Sequence, residues 1–510
     1  MSWVIGCNDP GMSQPELLLP LSASNPEGEA VWTLTATQTW GELERRGRQI
    51  AQGIRSEGVE PGDAWGLLAN NRIEWPELLL GNARSGGRYV PLNWHLTAPE
   101  IADLLEDSGS KFLIVDPENE TVGRAAAAIV GITRVILLGA DYEAWVSAQS
   151  DEPLPDCTAG APLQYTGGTT GRSKGVLRSD QGGPASDAFG PMQRWGELVG
   201  MPEQGNGLLC TPAYHAIGGG LTRALMARSH TISILPKWDP AQLLRTIEER
   251  KITSTAMVPT QFVRLLKLDE AERMTNDLSS IEWVLHTAAP CPPWAKRAMI
   301  EWFGPVITEL YGSSEGAGPV ICTSEEWLER PGTVGRSDFL ELSIVDDDGK
   351  DLAPGEIGTV YVKRPDGAPQ YHGDPDKSAA MQLSDGRFTV GDVGHLDDAG
   401  YLFLADRRVD LILSGGTNVY PAEIEGVLSQ HPKLADVAVF GIPNADWGQE
   451  IKAVVEPVVG VDVDAAEVLA FAAEHLAKFK IPRSVDIVDA LPREASGKLK
   501  KRLLRDPYWE

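Results

Sequence analysis

Between Thr39 and Leu138, segments of helical periodicity alternate with short apolar runs. Thr39-Trp-Gly-Glu42 has the S/T-x-x-E spacing of a capping box, and Leu43, Ile50, Ala51 and Ile54 then follow at helical spacing. Gly58 and Pro61-Gly62 end that helix. Trp65–Ala69 reads as a buried strand, Trp75–Ala83 as a helix, Arg88–Leu92 as a strand and Pro99–Glu106 as a helix; Phe112–Asp116 and Arg134–Leu138 are strands. A second alternation runs through Ile232–Leu235, Pro240–Arg250, Ser254–Val258 and Ile281–Leu285. Parallel strands need a crossover, usually a helix, so the pattern selects α/β layers with parallel pairing. Residues 1–30, rich in Pro, Ser, Asn and Glu, read as an irregular lead-in.

The pattern changes after residue 340. Leu342–Val345, Gly358–Val362 and Tyr401–Leu404 are strands separated by turns, which predicts a small antiparallel or barrel-like subdomain. Beyond it, Pro421 opens a helix carrying Ile424, Val427 and Leu428. Asp436–Phe440 and Ile451–Val455 are strands, and Ala465–Leu476 is a helix stopped by Lys480-Ile-Pro482. This last part is α+β.

Charge restricts the partners. The 510 residues hold 45 Lys and Arg against 72 Asp and Glu, a net charge of −27. Such a balance argues against nucleic acid, whose phosphates need clustered basic residues. Local basic clusters remain at Lys174, Lys478, Lys480, Lys498, Lys500 and Lys501. The five cysteines are scattered without a C-x-x-C pair, which suggests neither a zinc ribbon nor a disulfide framework and fits a reducing cytoplasm. No apolar run nears the ~18 residues of a membrane span, and no signal peptide is expected at Met1–Pro10.

Leu163-Gln-Tyr-Thr-Gly-Gly-Thr-Thr-Gly-Arg-Ser-Lys-Gly175 carries the most chemistry per residue. Glycines let backbone N–H groups approach a large anion, threonine hydroxyls donate to phosphate oxygens, and Arg172 and Lys174 supply charge. A flexible Gly/Thr turn has the same composition, so composition alone leaves both readings open. The spacing is not that of the mononucleotide P-loop, because Lys174 follows Ser173 and precedes Gly175. It is not the dinucleotide fingerprint either.

Tyr165–Gly175 resembles the phosphate loop of the AMP-forming adenylating enzymes. That superfamily contains acyl- and aryl-CoA synthetases, nonribosomal adenylation domains and firefly-type luciferases. Further segments carry the same resemblance, over roughly residues 30–505: Tyr89-Val-Pro-Leu-Asn93, His286–Pro293, Tyr311-Gly-Ser-Ser-Glu315, Val390–Gly394, Ala405–Glu425 and the Ser-Gly-Lys498 run. It implies an α/β fold: a large N-terminal domain of two α/β subdomains plus a small β-barrel-like subdomain, then a small mobile α+β C-terminal domain. The implied boundaries are 1–406, a hinge at 407–410 with Val409 at its centre, and 411–510.

The resemblance also implies roles. Thr166, Gly167, Gly168, Thr169, Thr170, Gly171 and Lys174 would grip the β- and γ-phosphates. Ala288, Ala289 and Pro290 would line adenine, with Glu309, Leu310, Tyr311, Gly312, Ser313 and Ser314 completing the nucleotide site. Asp392 and Arg407 would take the ribose. Glu315 and Thr166 would hold Mg²⁺, a hard cation suited to oxygen ligands. Lys498 would be the catalytic lysine, bridging carboxylate and α-phosphate, with Glu315 and His215 beside it. His215, Gly219, Ala288 and Gly312 would border the acid. Leu208–Gly220 reads as a strand running into a glycine-rich turn, where Gly218, Gly219 and Gly220 either leave room for substrate or permit close packing. Ser414, Gly415, Gly416, Lys478 and Lys480 would meet CoA.

These parts imply an acyl-CoA ligase using ATP, Mg²⁺ and coenzyme A. The acid's carboxylate attacks the α-phosphorus, pyrophosphate leaves, and a thiol then displaces AMP. Fixed cations and N–H donors help most where charge develops. Fifteen tryptophans and small residues at 218–220 and 288–289 favour a bulky hydrophobic acid. One alternative is a domain loading a carrier protein, although amino-acid-activating relatives place an Asp near Tyr214–Ile217 and none is present. Another is a ligase working mainly in the thioester-forming half-reaction, because Ser173, Ser314 and Val409 depart from the family's usual Pro, Thr and Lys or Asp. Self-association as a homodimer is left open.

Overall fold

A computed structural model of the chain describes residues 13–166, 174–177, 183–313, 316–365, 367–368, 370–371, 375–407, 410–414, 417–444, 446–494 and 498–509, with backbone alone at 166, 174, 177, 370–371, 375–377 and 406–407. The Thr39 capping box forms as read. Thr39 Oγ1 accepts from the Glu42 N–H at 3.2 Å, and the Thr39 N–H donates to Glu42 Oε2 at 2.9 Å. The helix it starts, Trp40–Ser56, buries Leu43, Ile50, Ala51 and Ile54.

The first alternation builds a parallel sheet. Val135–Leu137, Leu113–Val115, Ala64–Leu68, Arg88–Pro91 and Ala161–Pro162 lie side by side in that order. Trp65 stacks on Phe112 within its core, ring centroids 5.4 Å apart. The second alternation builds an eight-stranded sheet in the order Val320–Cys322, Ile307–Tyr311, Trp283–His286, Ser254–Met257, Gly205–Leu209, His230–Ile234, Glu29–Trp32 and Thr37–Thr39. Its interior pairs are parallel and its two outermost pairs antiparallel.

The described part of the lead-in, from residue 13, is more ordered than its composition suggests. Pro20–Ser24 is a short helix, and Glu29–Trp32 enters the large sheet beside His230–Ile234. The cause is a buried carboxylate. Glu44 Oε1 accepts the N–H groups of Leu18 and Leu19, each at 2.6 Å, while Glu44 Oε2 pairs with Arg84 at 2.7 Å. Glu44 and Arg84 are both almost wholly buried.

The β-rich part is an antiparallel sheet in the open order Thr333–Gly335, Leu402–Arg407, Asp392–Leu396, Gly358–Lys363, Glu341–Val345. Among the described residues it does not close into a barrel. The smaller C-terminal part is built on the long hairpin Leu434–Asn444 and Gly448–Pro457, with Ser484–Ile487 parallel to the second strand. Helices Pro421–Leu428 and Ala465–His475 cover it and bury Ile424, Leu428, Val468 and Ala472. The whole is an α/β protein with a large N-terminal and a smaller C-terminal part. Among the described residues, no helix is long and apolar enough to cross a membrane.

Candidate active site

The carboxyl ends of the parallel strands of the large sheet open into a cleft of about 2020 Å³. Ligands of open α/β sheets bind at such ends. Trp283–His286 and Ile307–Tyr311 run in parallel register, and each is followed by cleft-lining residues: Ala288, Ala289 and Pro290 after one, Gly312 and Ser313 after the other. Thr287 Oγ1 donates to the Leu310 carbonyl at 2.6 Å and locks the two ends together. Ala288 has φ +78°, in the left-handed region that a non-glycine residue seldom adopts. The strained turn sets Ala288–Pro290 into the wall of the cleft.

Tyr311 and Asp392 meet across two sheets. The Tyr311 hydroxyl donates to Asp392 Oδ2 at 2.7 Å, and both line the cleft. Asp392 pairs in register with Arg407 on the neighbouring antiparallel strand. The two residues expected at the ribose are therefore cross-strand neighbours in the backbone.

Glu309 also lines the cleft, but its carboxylate is committed to a buried ion pair with Lys296. Burial would push the Glu309 carboxyl up. The neighbouring charges outweigh it, and the group stays well below the usual carboxylate range. His286 Nε2 lies 3.4 Å from the same carboxylate, but burial pushes that imidazole down, so Lys296 is the charge that keeps Glu309 ionised. The sequence reading did not find Lys296. It sits on the helix Pro293–Phe303, thirteen residues before its partner, and no local pattern joins the two.

His215 is the N-cap of the helix Ala216–Ala227 and lines the same cleft. Its ring lies 4.1 Å, centroid to centroid, from that of Tyr214, which Trp94 meets edge-on at 4.4 Å. Burial, with the nearby His95 and Lys498 charges, pushes its imidazole down to about 3. Its Nε2 and the Tyr214 hydroxyl are buried with no hydrogen-bond partner among the described residues. A neutral ring with an unsatisfied nitrogen in a cleft is suited to receive a polar ligand atom.

The glycine-rich turn expected at 218–220 is instead the first turns of that helix, whose Gly219 N–H bonds the His215 carbonyl at 2.9 Å. The three glycines divide in role. A Cβ at Gly218 would lie 2.2 Å from the Pro212 carbonyl oxygen, so this glycine permits close packing. A Cβ at Gly219 would meet the Ala213 carbonyl at 3.1 Å and the Tyr89 hydroxyl at 3.2 Å, so Gly219 packs rather than lining the cleft. Gly220 lines it, with open space where a Cβ would point.

From the C-terminal part, Glu494, Lys498 and Lys500 reach the cleft. The Glu494 N–H bonds the Lys498 carbonyl at 2.8 Å, and Arg493 bridges Leu499 in antiparallel fashion, making a hairpin that presents Lys498. The hairpin is anchored by the Arg493–Asp436 ion pair. Trp294 Nε1 donates to Ser429 Oγ at 3.0 Å, and Lys267 donates to the Leu434 carbonyl, holding the small part against the large one.

The strands Gln164–Thr166 and Lys174–Leu177 pair antiparallel, Thr166 opposite Lys174. They are the stems of the expected phosphate loop; Gly167, Gly168, Thr169, Thr170, Gly171 and Ser173 themselves lie outside the described residues, as do Ser314, Glu315, Val409, Gly415 and Gly416. The metal assignment to Glu315 and Thr166 rests on side chains that are likewise outside them. Of the residues expected at CoA, the described ones, Ser414, Lys478 and Lys480, do not line the cleft in this arrangement. Ser414 pairs with Thr417 and Gly448, Lys480 forms an ion pair with Glu423 at 2.5 Å, and Lys478 is exposed.

Residues 22–372 match the AMP-binding enzyme family and residues 423–498 the AMP-binding enzyme C-terminal domain. The chain belongs to the AMP-binding enzyme family. Among relatives of this AMP-binding enzyme is the feruloyl-CoA synthase of an Amycolatopsis species, 32% identical over 489 residues, covering 94% of this chain and 96% of that one. Its fold superposes on ATP-bound MatB from Rhodopseudomonas palustris with a TM-score of 0.82, at 29% identity over 95% of this chain and 96% of that one. Against apo MatB, at the same identity and coverage, the TM-score is 0.70. As a whole, the structure is thus nearer to the ATP-bound form of that neighbour than to its apo form.

Proposed function

We propose that this AMP-binding enzyme is an AMP-forming acid–CoA ligase that activates a bulky hydrophobic carboxylic acid as acyl-AMP and passes the acyl group to coenzyme A. The observation that carries this reading is the convergence of Lys498 and His215 on the cleft that also holds the Tyr311–Asp392 pair. A nucleotide seated on Ala288–Pro290 and Asp392 would set its α-phosphate between strand ends and the C-terminal hairpin. Lys498 then serves as a point charge for the attacking carboxylate and the α-phosphate, where negative charge accumulates. Neutral His215 borders the acid and can donate to it without adding a competing positive charge. Glu315 and Thr166 would hold Mg²⁺, which when bound would supply positive charge beside the phosphates.

In this reading residues 1–406 form the adenylating domain, 407–410 the hinge and 411–510 the mobile domain. The present arrangement suits the first half-reaction, since Ser414, Lys478 and Lys480 are away from the cleft. A rotation at the hinge would exchange Lys498 for the Ser414–Gly416 loop. The CoA-synthase relative supports CoA as the acceptor. The test is to incubate the enzyme with ATP, Mg²⁺, CoA and a panel of aryl, terpenoid and steroid acids. Equimolar AMP and CoA thioester is the expected result; AMP formation without thioester contradicts the reading.

A further inference from the structure

Arg223 lies on the helix Ala216–Ala227, about two turns beyond its N-cap His215, and both residues line the cleft. The eight-residue offset corresponds to about 12 Å along the helix axis. His215 is the N-cap just ahead of the first turn and Arg223 lies inside the helix, and the cleft runs past both. Between them the open position at Gly220 leaves room, and Met192, Trp195, Ile217 and Leu221 give that stretch an apolar lining.

Arg223 is half-buried, and its Nε donates a long 3.4 Å bond to the Gly219 carbonyl. Among the described residues it forms no ion pair. Other arginines nearby are provided for. Arg228, on the same helix's C-terminal side, bonds the Pro202 carbonyl and sits 3.5 Å from Glu197; Arg264 lies over the Trp238 ring. A guanidinium partly withdrawn from water and lacking a counter-ion is costly, and its planar fork matches a carboxylate. In a cleft that takes an acid, the missing partner is best supplied by that acid.

We propose that Arg223 binds a second, distal carboxylate of the substrate, so that the cognate acid is a dicarboxylate. One carboxylate reacts between His215 and Lys498, an apolar body lies along Ile217 and Gly220, and the far carboxylate pairs with Arg223. The inference rests on the ligase reading above and specifies its acid.

The experiment compares α,ω-dicarboxylic acids bracketing that span with monocarboxylic acids of the same chain length, in ATP–pyrophosphate exchange and in CoA-thioester formation. The wild-type enzyme is expected to favour the diacid in kcat/KM by about tenfold or more. Arg223→Leu should raise the diacid KM by a similar factor and lower that of the monoacid, reversing the preference; Arg223→Lys should recover part of it. Monoacids converted as well as diacids, equal losses on both series in Arg223→Leu, or a change in the KM of ATP or CoA in place of the acid would overturn the assignment while leaving the ligase reading intact. A diacid preference in exchange without thioester formation would instead overturn the CoA-ligase reading and leave Arg223 in its role. No exchange with any acid would overturn both.

Discussion

The Tyr311 hydroxyl donates a 2.7 Å hydrogen bond to Asp392 Oδ2, joining the end of a parallel strand in the large sheet to the first residue of a strand in the antiparallel sheet. Neither residue is near the other in sequence, yet both line the cleft. A hydrogen bond to a carboxylate contributes about 1.5–3 kcal/mol. Tyr311→Phe keeps the ring and removes one donor to Asp392, the residue assigned to the ribose in the proposed function. The ATP KM should rise by roughly tenfold or more, with a smaller change in kcat. Nucleotide titration and steady-state kinetics would check this; unaltered ATP affinity contradicts the assignment.

His215 and His230 are held neutral by burial, their imidazoles pushed down to about 3 and about 4. Both bind protons more readily in the unfolded chain, whose histidines titrate near the ordinary 6.5. Their contribution is therefore fully present above pH ~6.5 and is lost as pH falls toward the folded values. Thermal denaturation from pH 7 to pH 4 should show a falling Tm, and His230→Gln should flatten part of that slope. His230 is the cleaner probe, because its Nδ1 and Nε2 meet the Arg228 carbonyl and Ser254 Oγ away from the cleft residues.

Gly218 and Gly220 should separate packing from substrate room. Gly218→Ala drives a methyl against the Pro212 carbonyl and should destabilise the fold by about 1–3 kcal/mol. Gly220→Val should leave the Tm close to the parent value and narrow the range of accepted acids. Equal destabilisation by both changes would show that the position at Gly220 is not open.

The repeating units of both α/β sheets were legible because apolar spacing and caps act locally. The helix Pro240–Arg250 has the bounds its pattern predicts, and the Thr39 box forms both its bonds. The glycine-rich stretch at 218–220 misled because glycine suits both a turn and a tightly packed helix start; the Pro212 carbonyl decides, and it is a tertiary contact. The same misreading hid Arg223, whose two-turn offset from His215 becomes visible only once the segment is helical. Lys296 and Arg84 were missed for a related reason. A buried basic residue leaves no sequence signature until its carboxylate is placed beside it.

The Glu44–Arg84 pair tests how the lead-in is fastened. Glu44→Gln leaves a buried guanidinium without its counter-ion and weakens the acceptor for Leu18 and Leu19. Removing one partner of a buried pair costs about 3–5 kcal/mol. Chemical denaturation should show a loss of that size, and proteolysis should cut first near residues 18–25. A loss below ~1 kcal/mol would place the pair among those of little consequence.

In the proposed ligase, Lys498 serves the first of two half-reactions in one cleft. Lys498→Ala should depress ATP–pyrophosphate exchange with the cognate acid by at least about a hundredfold, while CoA-thioester formation from preformed acyl-AMP falls far less. Equal losses in the two half-reactions would contradict the account.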